Sequence, residues 1–140
     1  MIINLQGSTN KDSVLIISLP NIYFDRRFSY KVGVRHLHLD LIQTDRNKTM
    51  HDNELLCFNT NLVDRSAANQ TQTIFHFEHL SKRKMIQYAK VTTVVYYTLH
   101  LYDLENATFE IIRPFTSQPV DIKNIFFQLE ILKIDAYGRI

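Results

Sequence analysis

Residues 89–101 read AKVTTVVYYTLHL. From Ala89, every second residue is small or apolar: Ala89, Val91, Thr93, Val95, Tyr97, Leu99 and Leu101. The intervening set is Lys90, Thr92, Val94, Tyr96, Thr98 and His100. Side chains alternate across a strand with period 2, so the pattern predicts one long β-strand with a buried face and a mixed face. Val, Thr and Tyr suit a pleated surface. A strand this long needs long partners, and the apolar runs on either side can supply them.

Upstream, residues 30–41, YKVGVRHLHLDL, form the clearest partner, and they contain a phase slip. Val32 and Val34 fall on even positions, whereas Leu37, Leu39 and Leu41 fall on odd ones. One strand cannot keep both sets on one face. An extra residue near Arg35–His36 repairs the register, which is how a β-bulge reads in sequence. Gly33 beside it fits such a distortion. Residues 54–63 and 71–80 add two strands; in the second, Thr73, Phe75 and Phe77 share one face, and Ile74, His76 and Glu78 the other. Residues 1–6 read as an edge strand, and residues 14–19 as a strand stopped by Pro20. Downstream, LHLYDLENATFEII at 99–112 reads as strand, turn, strand: a hairpin. In the last apolar run, 120–134, Ile125, Phe127, Leu129 and Ile131 form one face, and Phe126, Gln128 and Glu130 the other.

Polar stretches at 43–53 and 64–70, and a loop at 113–119 bounded by Pro114 and Pro119, separate these runs. The rough helical spacing of Phe77, Leu80, Lys84 and Tyr88 is a weaker alternative for 76–89. About eight strands with polar connections predict an all-β, antiparallel β-sandwich. Long connections favour a jelly-roll-like order over an immunoglobulin-like one, which also lacks its Cys–Trp–Cys pattern. No repeat or linker divides residues 1–140, so a single domain is expected.

The 140 residues are 45% hydrophobic and 21% charged, an ordinary globular balance. Net charge is +2, too small to argue for nucleic acid by bulk attraction. Cys57 is the single cysteine, which excludes an internal disulfide and reads as a buried, inert thiol. No stretch has the ~20 apolar residues of a membrane span, and residues 1–12 do not read as a signal peptide. A reducing setting, cytosol or nucleus, is therefore expected, with the sequons at Asn47, Asn69 and Asn106 read as chance.

His36 and His38 share a strand face and have a spacing that can grip a transition metal, with His76, His79, His100 or Asp40 as third ligand. Polar-face histidines are the simpler reading, so no metal or other cofactor is expected. There is no nucleophile elbow, and 3 Gly in total leave no phosphate-binding loop. Asp103 and Glu105 read as turn residues rather than an acid–base pair. An enzyme is not expected. Lys82, Arg83 and Lys84, with Arg26, Arg27, Arg46 and Lys48, could contact nucleic acid or another anion, with Tyr88 and Phe77 to stack on bases. A solvated turn is the simpler reading. Val94 and Tyr96, and Phe126 beside Gln128, make two mixed faces more apolar than water favours. These four residues are the candidate subunit interface.

The stretches FSYKVGVRHLHLDL, NELLCFNTNLV and YAKVTTVVYYTLHLYDLENATFEI resemble strands of the minor capsid proteins of Polinton/Maverick-type elements and adintoviruses. That family's late hairpin carries Gly in its turn where this chain has Asn106 or its neighbours. The resemblance covers about half the chain and rests on β-patterns. It implies a single jelly roll, penton-like or minor capsid, that forms trimers or pentamers with itself and meets other capsid proteins. It implies a virion location, with assembly in the host cytoplasm or nucleus, and no catalytic residues. The rival expectation is a β-sandwich module that binds a protein, glycan or nucleic acid through end loops, where Tyr23, Phe24, Phe28 and Phe115 fall outside strands.

Overall fold

The computed structural model describes residues 1–42, 44–50, 54–63, 72–79, 86–90, 93–116 and 118–135. They form two antiparallel sheets packed face to face. The first contains β1 (Ile2–Thr9), β2 (Leu15–Ile17), β3 (Ser29–Leu41), β6 (Ile86–Lys90), β7 (Tyr97–Thr98) and β10 (Ile122–Ile134). Its order is β2-β1-β10-β3-β6, with β7 also on β3. The second contains β4 (Glu54–Thr60), β5 (Gln72–His79), β8 (Phe109–Arg113) and β9 (Gln118–Pro119), ordered β5-β4-β8-β9.

The pairings nest. β1 pairs β10, β3 pairs β6, and β4 pairs β5, while β2 lies close to β8. Early and late strands are thus neighbours in both sheets of this antiparallel β-sandwich. The described residues hold ten strands, β7 and β9 only two residues long, close to the roughly eight that the sequence predicts.

Alternation builds the core. Along β10, Ile125, Phe127, Leu129 and Ile131 are buried, and the intervening residues are not. Phe127 meets Phe58 at a centroid separation of 4.9 Å and Phe109 at 5.0 Å, which joins the sheets at their centre. Such pairs add about 0.5–1.5 kcal/mol each beyond area burial. The predicted bulge is present. Gln128 pairs His36 and Leu129 pairs Val34, so Arg35 is the extra residue. Its insertion lets Val32, Val34, Leu37, Leu39 and Leu41 all face inward.

Several expectations are corrected. Residues 89–101 do not form one strand: β6 ends at Lys90, and residues 94–96 leave the ladder before β7. The cause lies on β3. A Cβ at Gly33 would sit 2.5 Å from Val94 Cγ1 and 2.8 Å from the Val95 carbonyl oxygen. The missing side chain lets this segment fold onto the strand. Nor is 99–112 a hairpin, because β7 belongs to the first sheet and β8 to the second. Between them the chain crosses the sandwich through a short 3-10 helix, Leu104–Asn106. Residues 1–6 are not at an edge, since β1 lies between β2 and β10. In β5 the register shifts at Ile74, so Ile74 and Phe77 are both buried despite their odd spacing. The polar stretch after β3 holds a helical turn, α1 (Asp45–Lys48). Residues 72–79 and 86–90 are strands, which answers the helical alternative there.

Candidate functional site

The four interface candidates come together on the outer face of the first sheet, though by a different route from the one their sequence predicts. Phe126 and Gln128 are half-buried on β10, the middle strand. Val94 and Tyr96 reach the same face by folding over Gly33. The Tyr96 hydroxyl donates to Glu130 Oε2 at 2.8 Å, and Arg35 approaches the same oxygen at 3.4 Å. The hydrogen bond to Glu130, with burial and the carboxylate charge, pushes the Tyr96 phenol above its ordinary pKa. Tyr96, Glu130, Gln128 and Phe126 therefore make one strip along β10. On one side it is flanked by Ile2, Asn4 and Gln6 of β1, paired with Glu130, Gln128 and Phe126. On the other, His36 pairs Gln128 and His38 pairs Phe126.

The histidines share this face, as their spacing predicts. His76 and His79 lie on β5 in the other sheet. Among the described residues no group of three or more His, Cys, Asp or Glu is placed to hold a metal. Cys57 is half-buried on β4; burial pushes its thiol pKa up, more than a hydrogen bond with Thr73 lowers it. Asp103 behaves as a turn residue, accepting from Glu105 N–H at 3.0 Å and from the Asn106 amide. The basic turn Lys82, Arg83 and Lys84 lies outside the described residues, as does Asn69.

The two ends of the sandwich differ in chemistry. At one end a cleft of about 400 Å³ is floored by Phe24, Tyr30 and Ile131, with Tyr23, Asp25 and Lys133 at its rim. Tyr23 is 65% exposed, and its hydroxyl donates to Glu105 at 2.9 Å. Asp25 is gripped by Arg27, whose side-chain hydrogen bonds hold the carboxyl down to about 2. Lys133 Nζ sits 3.6 Å from the Phe28 ring centroid. The loop aromatics noted in the sequence thus gather here, all but Phe115, which lies in the β8–β9 turn.

The opposite end is a polar clasp. Asp121 accepts from Ser13 and Thr44 hydroxyls, and Arg46 stands 3.8 Å away. Burial pushes the Asp121 carboxyl up, but the two hydroxyls and the arginine charge together hold it below its ordinary value. Buried Asn47 donates to the carbonyls of Ile42 and Asp121, both at 2.7 Å, and accepts from Asp121 N–H. That amide is fully engaged, so this sequon is not a glycan acceptor in the folded chain. Arg113 and Glu54, 4% and 8% exposed, pair at 2.8 Å, and Arg113 also donates to the Thr49 hydroxyl. Sequence reasoning missed this clasp, because its members lie in loops far apart in the chain. Among the described residues, the lining of the adjacent cleft holds Ser13 and Asp121 but no histidine to accept a serine proton. No family model, no curated protein and no solved structure matches this chain.

Proposed function

We propose that this protein is a non-enzymatic structural subunit that self-associates through the outer face of its first sheet, of the kind that builds virion shells. The observation that carries the reading is the strip of Tyr96, Glu130, Gln128 and Phe126. It places half-buried Phe126 and Tyr96 beside Gln128 and Glu130 on a face five strands wide, flanked by exposed Ile2, Asn4 and Gln6 on one side and half-buried His36 and His38 on the other. Aromatic residues set among polar groups are common in protein interfaces. Tyr96 is held by Glu130 before any partner arrives, which lowers the ordering cost of association. Jelly rolls serve in capsid and lectin domains alike, so the fold alone does not choose between them. The partners are further copies in a trimer or pentamer, and other shell proteins, assembling in the host cytoplasm or nucleus.

Light scattering across a dilution series tests the reading. A stable trimer or pentamer is expected, with a weaker assembly for Phe126→Ser. A monomer at every concentration overturns it. The end cleft favours a second reading, a module that binds a protein or glycan through loops. Nucleic acid fits that end less well, since Asp25, Asp103 and Glu105 offset Arg26, Arg27 and Lys133.

A further inference from the structure

His36 and His38 share the outer face of the first sheet because of the bulge. Val34 faces inward, so without the extra residue at Arg35 the alternation would turn His36 inward and Leu37 outward. Bulges re-aim side chains in this way, often beside functional sites. From His36 to Asp40 the ladder with β6 is regular. Leu37 and Leu39 are fully buried, while His36, His38 and Asp40 are half-buried on the opposite side of the strand. Residues two apart on a strand are about 6.5–7 Å apart along it. Two imidazoles at that spacing can lean over one point between them. A metal ion binds such nitrogens at about 2.0–2.1 Å.

The neighbouring strand supplies what the sequence of β3 does not show. Gln128 pairs His36 directly across the ladder. Opposite residues on one face have Cβ atoms about 4.5–5.5 Å apart, which brings the Gln128 amide oxygen within reach of the same point. Phe126 pairs His38 and covers that side with an apolar ring. Near the histidines the charges balance. Arg35 is drawn to Glu130 at 3.4 Å, and Lys90, across from His36 on β6, is matched by Asp40 on the histidine face. No net positive field therefore opposes a cation there.

We infer that His36 and His38, with the Gln128 amide oxygen as third donor, form a site for one divalent transition ion of the zinc or copper class. Imidazole suits these ions, whereas calcium and magnesium take shells of oxygen. Among the described residues no third histidine, cysteine or carboxylate joins the pair, so the third donor is an amide. Three donors from one chain leave a coordination position open for water or an outside ligand. All three stand on paired strands rather than loops, so the ladder positions them before the ion arrives. The site belongs to a single copy of the chain and does not rest on the self-association reading.

Isothermal titration calorimetry of the unsubstituted protein with Zn²⁺ should show one ion per chain, and Ca²⁺ or Mg²⁺ should show no binding. His36→Gln and His38→Gln should each weaken zinc about 100-fold or more, because one lost donor removes the gain from joining two. Gln128→Leu should weaken it less than either. His76→Gln, on the second sheet, should leave it unchanged. In the unsubstituted chain, substoichiometric Cu²⁺ should broaden the imidazole resonances of His36 and His38 and the Gln128 side-chain amide before any others, a readout that needs no variant to fold. Absence of zinc binding, or broadening centred on His76, His79 or His100, overturns the site. An affinity unchanged by Gln128→Leu overturns the three-donor set, and one ion per two chains overturns a site made by one copy. The mass of the protein in solution bears on none of these outcomes, so the site and the sheet-face reading stand or fall separately.

Discussion

The two ends of this sandwich are closed by opposite means. At the Asp121 end, three loops are tied by buried polar groups whose partners are fixed one by one. At the Tyr23 end, two loops are held by Phe24, Tyr30 and Tyr102, whose rings pack at 5.1 and 5.8 Å. A hydrogen-bonded clasp is all or nothing, since removing one partner leaves the other desolvated and unpaired. Aromatic packing degrades gradually, because a ring exchanged for an aliphatic side chain still excludes water. The polar end should therefore be brittle and the aromatic end tolerant.

The sharpest break of this comparison is Glu54→Leu. It strands the Arg113 guanidinium, 4% exposed, without its carboxylate. Removing one partner of a buried pair costs about 3–5 kcal/mol. Urea unfolding should show that loss, and the double variant Glu54→Leu/Arg113→Leu should recover much of it. Asn47→Ala comes next. It deletes three hydrogen bonds to part-buried backbone groups of Ile42 and Asp121. A loss of about 2–3 kcal/mol is expected. At the other end, Phe24→Leu should cost only about 1 kcal/mol. If Phe24→Leu proves as costly as Asn47→Ala, the contrast between brittle and tolerant ends is wrong.

Acid separates the ends in a second way. Asp121 titrates below its ordinary 3.8 in the folded chain, for the reasons given above. A folded value below the unfolded one stabilises the protein above the unfolded value, and the gain is lost as pH falls through the folded value. Stability should thus drop below about pH 4, and Asp121→Asn should flatten that limb. Asp25 is also lowered, to about 2, but it stands in water beside Arg27. Salt screens exposed pairs. Asp25→Asn should alter the acid limb only at low salt, whereas Asp121→Asn should alter it at both.

These contrasts also mark what the sequence could and could not reveal. The inward face of β10 was legible because Ile125, Phe127, Leu129 and Ile131 alternate without interruption. The bulge at Arg35 was legible because a change of phase within one apolar run has few other causes. The break at 94–96 was not, because its cause is a glycine on a neighbouring strand. The polar clasp was hidden for a similar reason: Ser13, Thr44 and Asp121 meet across long stretches of chain. Arg113 did carry a signal. It continues the parity of Phe109 and Ile111, which places it inward, yet an arginine before a proline reads as loop. The aromatic end was half legible, since Tyr23, Phe24 and Phe28 stand in a connection where apolar rings are unusual. Lys133 gave no warning, because nothing in its own strand points to the Phe28 ring.

Lys133 is the smallest of these tests and the most selective. Its ammonium lies 3.6 Å from the Phe28 ring centroid, at an exposed rim. A cation over an aromatic face is worth about 0.5–1 kcal/mol at such sites. A lysine stem, however, also covers apolar surface, and that part of the effect is not electrostatic. Lys133→Met keeps a long apolar stem and removes the charge. If the cation is what holds Phe28, Lys133→Met and Lys133→Ala should lose the same stability in thermal melts. If the stem is what matters, Met should retain most of it. The first outcome would show charge contributing at the aromatic end, while the second would make that end apolar in its energetics as well as its composition.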